Sequence, residues 1–92
     1  MENYNKISEL ILKIKNKKIT IGIVGLGYVG LPLALRFAEV GFSVIGYDKD
    51  IIKTEKLKKF KSYIKSILDK DLNKKNFLPT SSLKQLSKSD VI

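Results

Sequence analysis

The chain has 92 residues, 43% of them hydrophobic and 29% charged, which is typical of one small globular domain and not of a disordered tail or a fibre. Lysine and arginine outnumber aspartate and glutamate by 18 to 9, giving a formal net charge of +9, and Arg36 is the only arginine. Cysteine and histidine are absent, which excludes a disulfide framework and catalysis by a thiol or an imidazole. Only carboxylates, lysines, tyrosines and hydroxyls remain for chemistry, and we predict no metal site.

Residues 1–18 are predicted to form an amphipathic helix. Its apolar side chains recur at spacings of three and four between lysines, at Ile7, Leu10, Ile11 and Ile14. This stripe favours packing on the adjacent domain, because it lacks the bulky aromatic residues of a membrane-surface anchor. We find no secretory signal and no apolar run of the roughly 20 residues that a membrane span needs, so we expect a cytoplasmic protein with no membrane partner.

A strand, a helix and a second strand are predicted over residues 19–48. The first strand, "ITIGIV", is β-branched and apolar nearly throughout, which predicts a central parallel strand buried on both faces. In "YVGLPLALRFAEVG" we predict a helix with Pro32 in its first turn and Gly41 as a left-handed cap. The buried face of this helix is predicted to consist of Leu31, Ala34, Leu35 and Ala38. The second strand, "FSVIGYD", covers residues 42–48.

From Asp50 onward the chain is strongly helical in propensity, as one helix or two. The apolar residues at helical spacing there are Leu57, Phe60, Ile64, Ile67 and Leu68. "NFLPTSS" predicts a short third strand, which Pro79 places at a sheet edge. "SLKQLSK" predicts a short helix, and "SDVI" predicts the start of a fourth strand. The predicted fold is α/β: a partial Rossmann-type, doubly wound parallel sheet of order 3-2-1-4, with the N-terminal helix in front.

Gly25, Gly27 and Gly30 spell GxGxxG between the first strand and the first helix. In this setting Gly25 permits the tight turn, Gly27 lets a pyrophosphate approach the backbone, and Gly30 lets the helix pack closely on the strand. Free N–H groups from Leu26 through Val29 would face the ligand, whose negative charge the helix dipole favours. A Walker-type phosphate loop is excluded, since "GLP" stands where "GK" and a hydroxyl residue are required.

Asp48 follows the second apolar strand, 18 residues after Gly30, where this fold places an acidic residue. A carboxylate there accepts hydrogen bonds from the adenosine ribose and repels the 2′-phosphate of NADP, so the pattern predicts NAD as the cofactor. The positive charge of the neighbouring Lys49 weakens this repulsion of the 2′-phosphate. The competing interpretation is a purely structural glycine turn. Residues 19–92 are therefore predicted to form an incomplete NAD-binding Rossmann domain, whose exposed sheet edge favours self-association as a homo-oligomer.

"GLGYVGLPLA" followed by "GFSVIGYD" resembles the N-terminal NAD-binding domain of the UDP-glucose/GDP-mannose dehydrogenase family. It is particularly similar to the members that oxidise UDP-N-acetyl-hexosamines. "KSYIKSI" and the final "LKQLSKSDVI" resemble later segments of the same domain, so the resemblance covers residues 19–92. Such enzymes oxidise a sugar's primary alcohol at carbon six to a carboxylate in two NAD-dependent steps, which implies a role in surface polysaccharide synthesis.

The resemblance also implies the residues of a cofactor site. The pyrophosphate would be held, mainly by backbone N–H groups, at Gly25, Gly27, Tyr28, Val29 and Gly30. Asp48 would hold the adenosine ribose, and Lys53 would lie beside the adenosine. A solvated helix lysine is an equally good interpretation of Lys53.

Several features depart from the family. Phe60 stands where the second helix commonly ends in glycine, and Thr54 where an apolar residue is common, so a helix that continues through Phe60 is allowed. The family's catalytic cysteine, its assisting lysine and asparagine, and its sugar-binding domain come later than any residue present. We therefore expect a truncated N-terminal part that retains the NAD half-site without catalysing, with the nucleotide sugar bound only in a full-length relative.

The charge supports a different hypothesis, a stand-alone basic module that binds nucleic acid or another acidic partner. Residues 49–75 contain ten lysines and four acids. No helix-turn-helix, aromatic platform or arginine cluster accompanies this charge, which favours a solvated surface over a nucleic-acid site. A dehydrogenase of the β-hydroxyacid type would share the glycine turn but normally has other residues in place of Tyr28 and Val29.

Overall fold

The computed structural model describes residues 18–92, so the predicted N-terminal helix lies outside the described residues. Its strands are β1 (Thr20–Val24), β2 (Ser43–Tyr47) and β3 (Phe77–Thr80). Its α-helices are α1 (Gly30–Glu39), α2 (Ile51–Lys58) and α3 (Leu83–Leu86), and a 3-10 turn covers Asp69–Leu72. Strands and helices alternate along the chain, which confirms the predicted α/β class.

The three strands form one parallel sheet with β2 in the middle. On the far side of β1, Ile21 forms a single parallel bridge with Val91, and the Gly22 N–H donates to the Val91 carbonyl oxygen at 2.6 Å. The observed order is therefore 3-2-1, with the start of a fourth strand beside β1, as predicted. Pro79 lies in β3, which pairs only with β2 within the described part of the chain.

The core lies between the sheet and α1, and α1 buries the four residues that were predicted: Leu31, Ala34, Leu35 and Ala38. Gly41, with φ +107°, follows the helix in a conformation that glycine adopts readily. The expectation that β1 is buried on both faces is wrong. Ile21 and Ile23 are only half-buried, and Val24 is 59% exposed, because this strand borders open clefts.

The second helix ends at Lys58, so the continuation through Phe60 that the sequence left open does not occur. The Lys61 N–H donates to the Lys56 carbonyl oxygen at 2.8 Å, and the Phe60 N–H donates to that of Leu57 at 3.0 Å. These two bonds form the Schellman arrangement that closes a helix. Phe60 takes its left-handed position with φ +57°, where glycine is usual.

Side-chain hydrogen bonds then hold residues 61–69 away from the helical path. The Ser62 hydroxyl donates to the Ile64 carbonyl oxygen at 2.9 Å, and the Asp69 carboxylate accepts the Ser62 N–H at 2.8 Å. Such local bonds compete with the helix for backbone groups. Ile64 and Ile67 still reach the core, whereas Leu68 is 55% exposed. The spacing of Ile64 and Ile67 therefore reflects their burial in the core, although the segment that carries them is not an α-helix.

Phe60→Gly is expected to stabilise the domain by about 0.5–1 kcal/mol. Relief of about 1–2 kcal/mol of left-handed strain outweighs the roughly 0.5–1 kcal/mol that glycine's backbone entropy costs. The lost packing is small, because the Phe60 side chain is 48% exposed. Lys59→Gly is the matched control, since Lys59 has φ −94° and gains no such relief. Urea unfolding should show a raised midpoint for Phe60→Gly and a lowered one for Lys59→Gly, and the reverse order would contradict the cap.

Candidate functional site

The glycine-rich turn joins the carboxyl end of β1 to the amino end of α1. Gly25 has φ +88°, and its N–H donates to the Tyr47 carbonyl oxygen at 2.8 Å. A Cβ atom at Gly30 would collide with the Gly25 carbonyl oxygen, and it would lie 3.5 Å from Cγ2 of Ile23. Gly25 therefore permits the turn and Gly30 lets α1 begin directly against β1.

Gly27 is different, because nothing in residues 18–92 requires a glycine there. No atom of the described part of the chain lies within 4 Å of a Cβ built at Gly27, and the φ of Gly27 lies outside the left-handed range. The N–H groups of Gly27, Tyr28 and Val29 have no hydrogen-bond partner in residues 18–92, and the side chains of Tyr28 and Val29 are each 80% exposed. This stretch presents bare backbone donors and empty space, which is what a pyrophosphate needs.

Leu26 does not behave as expected. Its side chain is 0% exposed, and its N–H donates to Oδ2 of Asp48 at 3.0 Å. Its carbonyl oxygen accepts the Tyr63 hydroxyl at 2.6 Å. The expectation that the Leu26 N–H is free to face a ligand is therefore wrong, because the Asp48 carboxylate already accepts from it.

The Asp48 carboxylate is held ionised beside this turn. Its Oδ1 also accepts the Asp50 N–H at 2.9 Å. Burial alone would raise the pKa of Asp48, but the N–H donors of Asp50 and Leu26 and the charges of Lys53 and Lys49 together lower the pKa below its usual value. An ionised carboxylate has about four lone-pair positions, so two backbone donors leave acceptor capacity for ribose hydroxyls.

The backbone of Asp48 is fixed by a hydroxyl network that the sequence did not reveal. Oγ of Ser81 donates to the Asp48 carbonyl oxygen at 2.7 Å and lies 2.8 Å from Oγ1 of Thr54. Thr54 is 1% exposed, and its hydroxyl also lies 3.1 Å from the Ile51 carbonyl oxygen. A buried hydroxyl needs such partners. The signal was the polar residue at a position where the family resemblance implies an apolar one.

Lys53 and Tyr63 form a second contact near Asp48. The Lys53 ammonium lies 5.8 Å from the centroid of the Tyr63 ring, within range of a cation–π interaction. Burial, followed by the charges of Asp48 and Asp50, raises the pKa of Tyr63 to about 12, so its hydroxyl stays protonated at neutral pH. The sequence offers Tyr63 only as part of "KSYIKSI", and no local pattern predicts its contact with the glycine turn.

Two clefts meet at Val24 and Gly25, which line both. The Asp48 cleft measures about 390 Å³ and is lined by Val24, Gly25, Tyr47, Asp48, Lys49 and Lys53. The glycine cleft measures about 640 Å³, and its walls include Gly25, Gly27, Tyr28, Val29 and Gly30. Every predicted site residue except the buried Leu26 lines one cleft or the other.

Two other kinds of site find no support in the described residues. Residues 18–92 contain no group of three acidic, histidine or cysteine side chains that could hold a metal ion. In the same range, no helix is long and apolar enough to cross a membrane.

Comparison with known proteins gives a family match and several relatives. Residues 19–92 match the NAD binding domain of the UDP-glucose/GDP-mannose dehydrogenase family. UDP-N-acetyl-D-mannosamine dehydrogenase of Pyrococcus horikoshii is 40% identical over 55 residues, which are 60% of this chain and 12% of that protein.

Two solved structures share the fold. The structure of UDP-D-ManNAc dehydrogenase from Pyrococcus horikoshii superposes with a TM-score of 0.72 at 28% identity, covering 80% of this chain and 20% of that one. The UDP-N-acetyl-mannosamine dehydrogenase Cap5O from S. aureus gives a TM-score of 0.61 at 26% identity, covering 68% of this chain and 16% of that one. This chain thus spans at most 20% of the length of these relatives.

Proposed function

Since residues 19–92 match its NAD-binding domain, this chain belongs to the UDP-glucose/GDP-mannose dehydrogenase family, and we propose that NAD binds across the wall that its two clefts share. The observation that carries the proposal is Gly27, where open space lies beside three N–H groups without partners in residues 18–92. In the glycine cleft, the N–H groups of Gly27, Tyr28 and Val29 bind the pyrophosphate. The amino end of α1 adds a favourable dipole.

The Asp48 cleft binds the adenosine half of NAD. Asp48 accepts hydrogen bonds from the ribose hydroxyls and repels a 2′-phosphate, which favours NAD over NADP. Lys53 lines the same cleft and lies beside the adenosine. Its contact with the Tyr63 ring supports this role over that of a freely solvated lysine.

The wider function we propose is that of the NAD-binding portion of a nucleotide-sugar 6-dehydrogenase. The similarity to two proteins named for UDP-N-acetylmannosamine supports a UDP-N-acetylhexosamine as the sugar that the whole enzyme oxidises. These 92 residues contain no cysteine and no histidine, and the resemblance assigns catalysis to a cysteine. We therefore propose that they bind the cofactor without oxidising the sugar. A cytoplasmic location and self-association stay predictions.

Titration with NAD and NADP, followed by calorimetry or amide NMR shifts, tests the binding site. Asp48→Asn is expected to weaken NAD at least about tenfold, because it removes the charge that the ribose hydroxyls meet. The preference for NAD over NADP should narrow as well, since the repulsion of the 2′-phosphate is lost.

Asp50→Asn is the matched control. Oδ1 of Asp50 caps α2 by accepting the Ile52 N–H at 3.0 Å, and asparagine caps a helix equally well. This variant should keep the affinity of the wild-type chain. Equal losses in the two variants, or no NAD binding by the wild-type chain, would overturn the proposed site.

A further inference from the structure

Leu26 is held at both of the peptide groups that flank it. The peptide before it is fixed through the Leu26 N–H, which donates to Asp48, 22 positions away in sequence. The peptide after it is fixed through the Leu26 carbonyl oxygen, which accepts the hydroxyl of Tyr63, 37 positions away. The turn is thus hydrogen-bonded to two segments that are distant in sequence, and the Leu26 side chain is buried in the core.

The hydrogen bond from Tyr63 to the Leu26 carbonyl oxygen also fixes the direction of the Gly27 N–H, which belongs to the same peptide group. The Leu26 carbonyl and the Gly27 N–H belong to one planar unit, and no described peptide bond is cis. They therefore point in opposite directions. With Tyr63 on the carbonyl side, the N–H is directed away from Tyr63, which does not line the glycine cleft, whereas Gly27 does. Donation to the carbonyl also polarises the peptide and strengthens the N–H as a donor.

We propose that Tyr63 is a positioning residue for pyrophosphate binding: its hydroxyl fixes the Leu26–Gly27 peptide so that the Gly27 N–H is aimed at the ligand. The inference rests on the proposed function of the glycine cleft. Tyr63 does not line that cleft and acts through Leu26 alone.

Tyr63 is itself firmly placed. The next residue, Ile64, is 4% exposed, and the preceding one, Ser62, is bonded through both its hydroxyl and its N–H. The ring also carries the Lys53 ammonium on its face. The high pKa of Tyr63, about 12, keeps the hydroxyl a donor over the whole range in which the protein would be studied.

Tyr63→Phe tests the proposal, because it removes the hydroxyl and keeps the ring. In the full chain, binding of ADP, which carries a pyrophosphate, is expected to weaken about five- to tenfold. Binding of adenosine, which has the ribose but no phosphate, should stay unchanged. In the free protein, the ¹³C resonance of the Leu26 carbonyl should shift as it loses its hydrogen bond. A general loosening of the fold would weaken ADP and adenosine alike.

Ser87→Ala is the matched control, since it removes a hydroxyl that also donates to a backbone carbonyl oxygen, that of Lys84 at 2.6 Å, but Ser87 lines neither cleft and does not contact Tyr63. It should weaken neither ligand. If the wild-type chain binds ADP and Tyr63→Phe binds it equally well, the positioning role is overturned while the proposed function stands. If the wild-type chain binds neither ADP nor NAD, the proposed function itself fails, and the inference fails with it.

Discussion

Replacement of Gly30 by alanine is expected to destabilise the domain strongly. The added Cβ would collide with the Gly25 carbonyl oxygen, and that oxygen belongs to backbone which β1 and its neighbours hold in place. Relief requires α1 to move off the sheet, which disrupts the packing of its buried face. Such overpacking should cost about 3 kcal/mol or more, a large part of the roughly 5–15 kcal/mol that stabilises a domain. Circular dichroism and urea unfolding measure the loss.

Gly25→Ala provides the comparison for this result. Within residues 18–92 nothing lies within 4 Å of a Cβ at Gly25, so the substitution costs only the strain of an alanine at φ +88°, about 1–2 kcal/mol. Gly25→Ala should therefore fold with a lowered midpoint. A Gly30→Ala chain that unfolds at the wild-type midpoint would refute the close approach of α1 to β1.

Gly27→Ala is expected to abolish most NAD binding and to leave the fold unchanged. A methyl group at Gly27 meets no atom of the described residues, so the unfolding free energy should change by less than about 0.5 kcal/mol. The same methyl group would occupy the space that the pyrophosphate enters. We expect the affinity for NAD to fall at least about tenfold. Titration and urea unfolding of the same preparation measure the two effects together.

Phe60→Gly is the control for the Gly27→Ala measurements, because it is expected to change the stability of the domain without changing its affinity for NAD. It changes the cap of α2, away from the glycine cleft, so it should alter the unfolding midpoint and keep the affinity for NAD. If Gly27→Ala binds NAD as tightly as the wild-type chain, the proposed pyrophosphate site is contradicted. A large loss of stability there would instead make Gly27 a structural glycine.

The sequence was most informative where a pattern is local. The four buried residues of α1 follow from helical periodicity between Pro32 and Gly41, which mark the two ends of the helix. The position of β3 at an edge follows from Pro79, which has no N–H to donate. Gly25 makes the turn after β1, and Gly30 makes the close contact between α1 and β1. The strand before the motif and the helix after it are enough to predict both roles.

The sequence was less informative where contacts between distant residues determine the path of the backbone. Propensity favoured a helix through Phe60, but the burial of Ile64 and Ile67 requires the chain to turn there, and a left-handed phenylalanine results. The partners of Leu26 could not be predicted either. Asp48 and Tyr63 lie 22 and 37 positions away, and no periodicity relates them to the turn. The half-exposed faces of β1 depend on which segments cover it, which its own residues do not specify.

The burial of Leu26 has a consequence for the motions of this turn. Ligand-binding loops usually open locally at little cost in free energy. Here the turn cannot swing outward without withdrawing a fully buried side chain from the core and breaking its bonds to Asp48 and Tyr63. The Leu26 amide should then exchange its hydrogen with solvent only when the whole domain opens. A substitution at Leu26 is therefore expected to change the stability of the domain and the geometry of the glycine turn together.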